Sequence, residues 1–277
     1  MERITGCAPE HICTLFRDGC TGTVEMVNSR GIYLQIGSHH ILLCHSGFGT
    51  VPNGVAVDGW DKLYPLLSVG QPLQAEQDLL FFSSVCLALQ LKNVPKDIRI
   101  CFPDKKALHA GIGRLLAGAK PTGLSSLVYP LFSGQSPEMN LYCKMALPCV
   151  RTLLQALKEE NADDIFLSVE SLLGLGPGLT PSGDDLLSGI LYALRHSPLR
   201  DSLACNALTT AVRELAGERT SAVSADYLMA VSEDAPFDRM AAAWADPAAS
   251  AADLMEIGSN SGTEMLLGLL CAGTLLN

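Results

Sequence analysis

"GLGPGLTPSGDDLLSGIL" (residues 174–191) sets four glycines and two prolines within its first ten residues, follows them with adjacent aspartates, and then becomes an apolar helical pattern. Gly174, Gly176, Gly178 and Gly183 permit backbone angles and close approaches that are closed to other residues, while Pro177 and Pro181 stiffen the path between them. The loop is therefore shaped and not slack. Ser182 followed by Asp185 fits a capping box at a helix start, and Thr180 with Pro181 as first helical residue is the competing assignment. Either start leads into a helix whose buried face is Leu186, Leu187, Ile190, Leu191 and Leu194.

A second segment echoes the first. "SGDDLLSGIL" (182–191) and "SGTEMLLGLL" (261–270) lie 79 residues apart, share Ser, Gly, Leu, Gly and Leu at matching places, and carry an acid at the fourth position. A helix start exposes unpaired amides and about half a positive charge, so it attracts anions, and glycine lets a ligand approach the backbone. Two such starts facing each other would receive a small doubly anionic ligand. The alternative is structural: Gly189 and Gly268 then mark the contact of two closely crossing helices.

Working outward, the 277-residue chain has room for one large domain or two smaller ones, and its 48% hydrophobic and 17% charged residues are those of a chain with a real core. From about residue 20 to 100 short β-type runs alternate with turn residues: "TGTVEMV", "GIYLQI", "HHILLC", "NGVAVD" and "QPLQAEQDLLFF", with "DKLYPLLSV" as one short helix among them. Beyond "CFPD" (101–104) the spacing is helical, as in "KKALHAGIGRLLAGA" and "YCKMALPCVRTLLQALKEEN". "MEIGSNSGTEMLLGLLCAGTLL" reads as a low-charge helix buried on most sides. The expected fold class is α+β: a β-rich sheet or small barrel over 1–104, then a mainly helical bundle over 105–277 that carries the Gly-Pro motif.

A net charge of −10 without any basic run argues against nucleic acid as a partner. The start "MERITGCAPE" has no apolar signal core, and "LLFFSSVCLALQL" and "MLLGLLCAGTLL" fall short of the roughly 20 residues that span a bilayer, so the expectation is a cytoplasmic chain without a membrane partner. The ten cysteines are scattered, with no CxxC pair, and read as reduced thiols. His39, His40, Cys44 and His45 crowd together, with His11 and Cys13 as candidate partners. Alternation along a strand lets only some of them converge, which favours structural or surface roles over a zinc site.

No Gly-Lys-Ser/Thr follows the glycines, no dinucleotide fingerprint is present, and no Gly-x-Ser-x-Gly elbow precedes a triad. The helical region holds only His109 and His196 as bases for a serine nucleophile in "PSGD", which weighs against a serine hydrolase. "GERTSAVSADYL" (217–228) offers Arg219, Thr220, Ser221 and Ser224 at a helix start, where a guanidinium and hydroxyls can hold a carboxylate or phosphate. The ordinary alternative there is a cap beside a solvated arginine.

The Gly-Pro motif, together with the β-rich front, the "TS..S..YL" helix and the late "G..SG.E.L.G" segment, resembles the family of the AllH subunit of oxamate carbamoyltransferase. Where members often carry a histidine or aromatic residue near the late Ser-Gly, this chain has Ser259, Asn260 and Thr263. The resemblance implies a share in anaerobic allantoin breakdown, in which oxalurate and phosphate become oxamate and carbamoyl phosphate through several subunits together. The "STRT" phosphate signature of aspartate and ornithine carbamoyltransferases is absent, so the activity would rest on a different fold or on part of a site.

On that footing the ligand, oxalurate or oxamate, carbamoyl phosphate or phosphate, is expected between the 176–185 loop and the 259–264 helix start. Amides of Gly176, Gly178 and Gly183 and hydroxyls of Thr180 and Ser182 would hold its oxygens, with Asn260, Ser261 and Gly262 at the second helix and Thr220, Ser221, Ser224 and Arg219 adding donors and charge. Asp184 and Asp185 are the catalytic candidates: one would accept from the carbamoyl amide or hold a Mg2+ ion, the other would cap. Asp185 is the better cap, which leaves Asp184 as the acid without a structural role. Rival readings are a noncatalytic assembly or small-anion-binding subunit, and a metal-dependent hydrolase built on Asp184, Asp185 and Glu264.

Overall fold

The computed structural model describes residues 2–17, 19–28, 31–91, 104–135 and 137–276. The chain forms two compact units, Met1–Lys96 with Ala235–Asp238, and Asp97–Asp234 with Arg239–Asn277. Of the stretch 101–104, where the sequence changes character, residues 101–103 lie outside the described ones.

The first unit contains β1 (Glu2–Ala8), α1 (Glu10–Arg17), β2 (Cys20–Asn28), β3 (Gly31–Ile36), β4 (His39–His45), β5 (Gly54–Asp58), α2 (Trp60–Leu63), β6 (Pro72–Glu76), β7 (Leu79–Phe81) and β8 (Val85–Leu91). The strands close into a barrel in the order β1-β5-β4-β3-β2-β6-β7-β8. Of the two arrangements that the short β runs allow, this is the barrel. Hairpin pairing accounts for β2–β3–β4 and β6–β7–β8, but β1 with β8 and β4 with β5 pair in parallel, which no turn signal announces. "QPLQAEQDLLFF" is two strands, because Gln77 turns the chain at φ 56 between them. "DKLYPLLSV" is the end of α2 followed by a 3-10 turn, Tyr64–Leu66.

Alternation fills the barrel. Ile32, Leu34 and Ile36 of β3 and Ile41 and Leu43 of β4 are at most 1% exposed, with Leu34 opposite Ile41 and Ile32 opposite Leu43. Ile12, Cys13 and Phe16 of α1 join the same core. The same alternation disperses the histidines: His39 and His45 are exposed at the two ends of β4, and His40 lies 3.6 Å from Glu25. Among the described residues no group of three or more His, Cys, Asp or Glu is placed to hold a metal ion. The described cysteines are free thiols, and no described helix is long and apolar enough to cross a membrane.

The second unit is helical: α3 (Lys105–Gly118), α4 (Leu141–Glu159), α5 (Ala162–Leu172), α6 (Ser182–Arg195), α7 (Leu203–Arg219), α8 (Ala222–Ser232), α9 (Asp238–Ala245), whose first residue is grouped with the barrel, α10 (Pro247–Met255) and α11 (Ser261–Gly273). "MEIGSNSGTEMLLGLLCAGTLL" is therefore a turn followed by α11, and Gly258, at φ +61, makes that turn. The most extensive packing is between α6 and α11. Every residue of α6 from Ser182 to Leu194 is buried, so the expected apolar face is in fact a helix enclosed on all sides.

Enclosure at such close range needs glycine. A Cβ on Gly189 would stand 2.2 Å from the Met265 carbonyl oxygen, and one on Gly268 would stand 2.3 Å from that of Leu186. The two positions face each other, each Cα within about 3 Å of the other's would-be Cβ. Gly268→Ala is accordingly expected to cost roughly 2–3 kcal/mol by forcing backbone from backbone; a denaturation midpoint equal to that of the parent chain would contradict this.

Candidate functional site

The two Ser-Gly helix starts meet. Thr180 Oγ1, in the loop before α6, lies 3.2 Å from Ser261 Oγ at the first residue of α11. Both starts are built alike. Gly176, at φ +123, packs against Ser182, and Gly258 packs against Ser261, each leaving no room for a Cβ. Gly183 and Gly262 press on the carbonyls of Leu172 and Leu254, the last turns of α5 and α10. Five residues separate Gly176 from Ser182 but two separate Gly258 from Ser261, so the first loop is longer by three, and Thr180 lies within that excess.

Two acids occupy the junction. Glu264 Oε1 accepts from the Leu124 amide at 3.0 Å, and the Ser182 hydroxyl of the opposite helix lies beside the same side chain. Asp185 mirrors it: the Ser261 hydroxyl, again from the opposite helix, and that of Thr180 lie beside its carboxyl. Neither contact has regular hydrogen-bond geometry, so both Asp185 oxygens are buried without a hydrogen-bond partner. Burial, and then the charge of Glu264, push the Asp185 carboxyl well above its ordinary value. Burial raises Glu264 to about 7, against the opposing pull of its two donors.

Asp184 turns the other way and is fully engaged. Its Oδ1 accepts from the Gly174 amide at 2.8 Å, and its Oδ2 from the Ser224 hydroxyl at 2.6 Å and from the Thr220 hydroxyl. Burial still outweighs these three donors and raises its pKa. The roles read from sequence are thus reversed: Asp184 has the structural task, and Asp185 has none. No capping box forms either, since the residue before α6 is Pro181 and no side chain caps the helix.

Other expected site residues are spent elsewhere. A hydroxyl has one proton to donate. Thr220 and Ser224 give theirs to Asp184, and Ser221 gives its own to the Leu179 carbonyl while capping α8. These three fix the Gly-Pro loop and are not anion donors. The Gly183 amide donates to Leu175 at 2.8 Å and that of Gly262 to Ile257 at 3.1 Å, which removes both from the set. Arg219 pairs with Glu170 at the surface, and Asn260 Oδ1 accepts from Thr122 at 2.9 Å. Brought together at the junction are Thr180, Ser182, Ser261, Asp185 and Glu264. The amides of Gly176 and Gly178 make no backbone hydrogen bond among the described residues, and the space around Gly178, at φ +103, is open.

Sequence reasoning missed the 120–124 loop. Gly123 touches Glu264 so closely that a Cβ there would overlap its carboxyl, and Asn140 holds the Gly123 carbonyl at 2.8 Å while capping α4. Nothing local signals this contact across 140 residues. In the sequence Glu264 stands out as the acid that matches Asp185 in the repeat and as one of the three acids of the metal-dependent hydrolase reading. Between two positive helix ends a Mg2+ ion would find Asp185 uncommitted but Glu264 already accepting from the Leu124 amide, which fits it poorly, and the acidic trio of a metal-dependent hydrolase loses Asp184 to its three donors.

Asp184→Ala would strand three donors, one buried and two part-buried, and is expected to cost about 3 kcal/mol, whereas Asp185→Asn should leave stability unchanged or raise it; comparable losses in both on thermal unfolding would contradict the assignment. Glu264 is protonated in the folded chain up to about pH 7 but ionises near 4.5 when unfolded. The stability it allows below pH 4.5 is therefore lost as pH rises to about 7, on the order of 2–3 kcal/mol. Glu264→Gln should remove that part of the slope, and identical pH profiles for the two chains would argue otherwise.

No curated protein and no solved structure is matched by the chain. A family model described as oxamate carbamoyltransferase subunit AllH matches residues 172–273. That description names a subunit and so implies further subunits in a complex. The stretch runs from the end of α5 to the end of α11 and contains both helix starts. The resemblance to the AllH subunit family thus holds over residues 172–273, the segment that builds the junction.

Proposed function

We propose that the chain serves as a subunit of an oxamate carbamoyltransferase that converts oxalurate and phosphate to oxamate and carbamoyl phosphate, with its ligand held where α6 and α11 begin. The observation that carries this reading is the convergence of two glycine-led helix starts within the AllH-matching segment. Both ends direct partial positive charge at one place. The Gly176 and Gly178 amides and the Thr180 and Ser261 hydroxyls are donors suited to carboxylate or phosphate oxygens.

In the reaction a phosphate oxygen attacks the carbamoyl carbon, the bond from that carbon to the oxamate nitrogen breaks, and the nitrogen takes up a proton. Negative charge grows on the carbamoyl oxygen, and fixed amides stabilise it without reorganising. Glu264, poised at about 7, can hold or release a proton at neutral pH. A second reading is favoured by the burial of Asp185 and Glu264, each 1% exposed: the chain binds the ligand without reacting it, and its partner subunits supply the chemistry.

The test is phosphate-dependent cleavage of oxalurate by the complex assembled with and without this chain. Thr180→Val combined with Ser261→Ala should lower turnover by about tenfold to a hundredfold with assembly intact, since two donors to a charged ligand are lost. Unchanged turnover in that variant would place the ligand elsewhere, and full activity without the chain would end the proposal.

A further inference from the structure

We propose that Asp185 and Glu264 form a carboxyl pair that reads the primary amide, –CO–NH2, of the ligand and rejects a second carboxylate in its place. This rests on the reading of the α6–α11 junction as the ligand site. It assigns these two side chains a role as specificity-determining residues and names the group that they select.

Asp185 is 1% exposed, and both of its carboxyl oxygens lack a hydrogen-bond partner. Buried polar atoms are otherwise nearly always satisfied, so an unmet pair of oxygens at the meeting of two helix starts marks the place of an absent partner. Its neighbours narrow the chemistry of that partner. The Ser182 hydroxyl is directed to Glu264, and the carboxyl of Asp184 stands one residue away, held by Gly174, Thr220 and Ser224. A carboxylate or phosphate oxygen brought against Asp185 would add a charge beside three acids, where the Ser261 and Thr180 hydroxyls and an acidic proton are the donors at hand.

A primary amide is complementary instead. Two neighbouring carboxyl groups in a low-dielectric site, such as Asp185 under the charge of Glu264, favour holding one proton over ionising together. The pair then offers one O–H donor and several acceptor oxygens, and an amide offers two N–H donors and a carbonyl acceptor. The anionic end of the same ligand is left to the Gly176 and Gly178 amides and the Thr180 and Ser261 hydroxyls. Entry requires the Thr180–Ser261 contact, 3.2 Å between oxygens, to part.

Oxamate and oxalate are matched probes, alike in size and differing by one amide in place of one carboxylate. Calorimetric titration of the full chain at pH 7 should show oxalate binding at least about tenfold more weakly than oxamate. Asp185→Leu, which removes the polar atoms from a site where none is satisfied, should keep the helical circular dichroism of the parent and lose the preference. Glu264→Gln, which withdraws one charge, should narrow it through tighter oxalate binding, and it decides the matter if Asp185→Leu fails to fold. Equal binding of the two probes by the parent chain, or a preference that survives in both variants, would overturn the inference and leave the ligand site standing. If oxamate, oxalate, carbamoyl phosphate and phosphate all fail to bind the parent chain, the ligand-site reading falls and this inference with it.

Discussion

The structure of the helical unit turns on one contact: the backbones of α6 and α11 touch at Gly189 and Gly268. A single methyl group at either position would collide with a carbonyl of the other helix. The close crossing buries α6 on all sides, and Leu186, Leu187, Ile190 and Leu191 are fully enclosed, each contributing roughly 1.5–3 kcal/mol. It also brings the two helix starts together, since the N-terminal turns lie just beyond the contact. The juxtaposition of Asp185 and Glu264 is thus a consequence of glycine at two positions seven residues into matched repeats.

Stability and site chemistry oppose each other at this point. Helix starts tolerate negative charge, yet the interior around them does not, and burial dominates for Asp184, Asp185 and Glu264 alike. Asp184 is compensated by three donors and anchors the Gly-Pro loop to the start of α8. Asp185 receives no such compensation. A fold selected for stability alone would place an apolar side chain there.

Much of this was legible in the sequence. The repeat of Ser-Gly with an acid at the fourth position located both helix starts and the glycine crossing, because each is a local pattern whose physical meaning is fixed. The barrel strands β2 to β5 followed from alternation and turn residues for the same reason. What failed was the assignment of side-chain partners. Ser182 and Asp185 fit a local capping box, but Pro181 precedes the helix without a side-chain cap, and tertiary packing sets Ser182 beside Glu264 of the opposite helix and leaves Asp185 unpartnered. Thr220, Ser221 and Ser224 looked like an anion cluster because sequence shows donors and not the acceptors, Asp184 and the Leu179 carbonyl, that consume them. The parallel pairing of β1 with β8 and the hydrogen bond from the Leu124 amide to Glu264 join distant residues with no signal at either end.

The central claim is that the junction of α6 and α11 receives a ligand against Asp185. A crystal structure of the full chain grown with oxamate tests it most directly. Oxamate is expected between the two helix starts, its amide within hydrogen-bond distance of Asp185 and the Thr180–Ser261 contact opened. Oxamate bound elsewhere on the chain, with that contact closed and the Asp185 carboxyl still unpartnered, would contradict it.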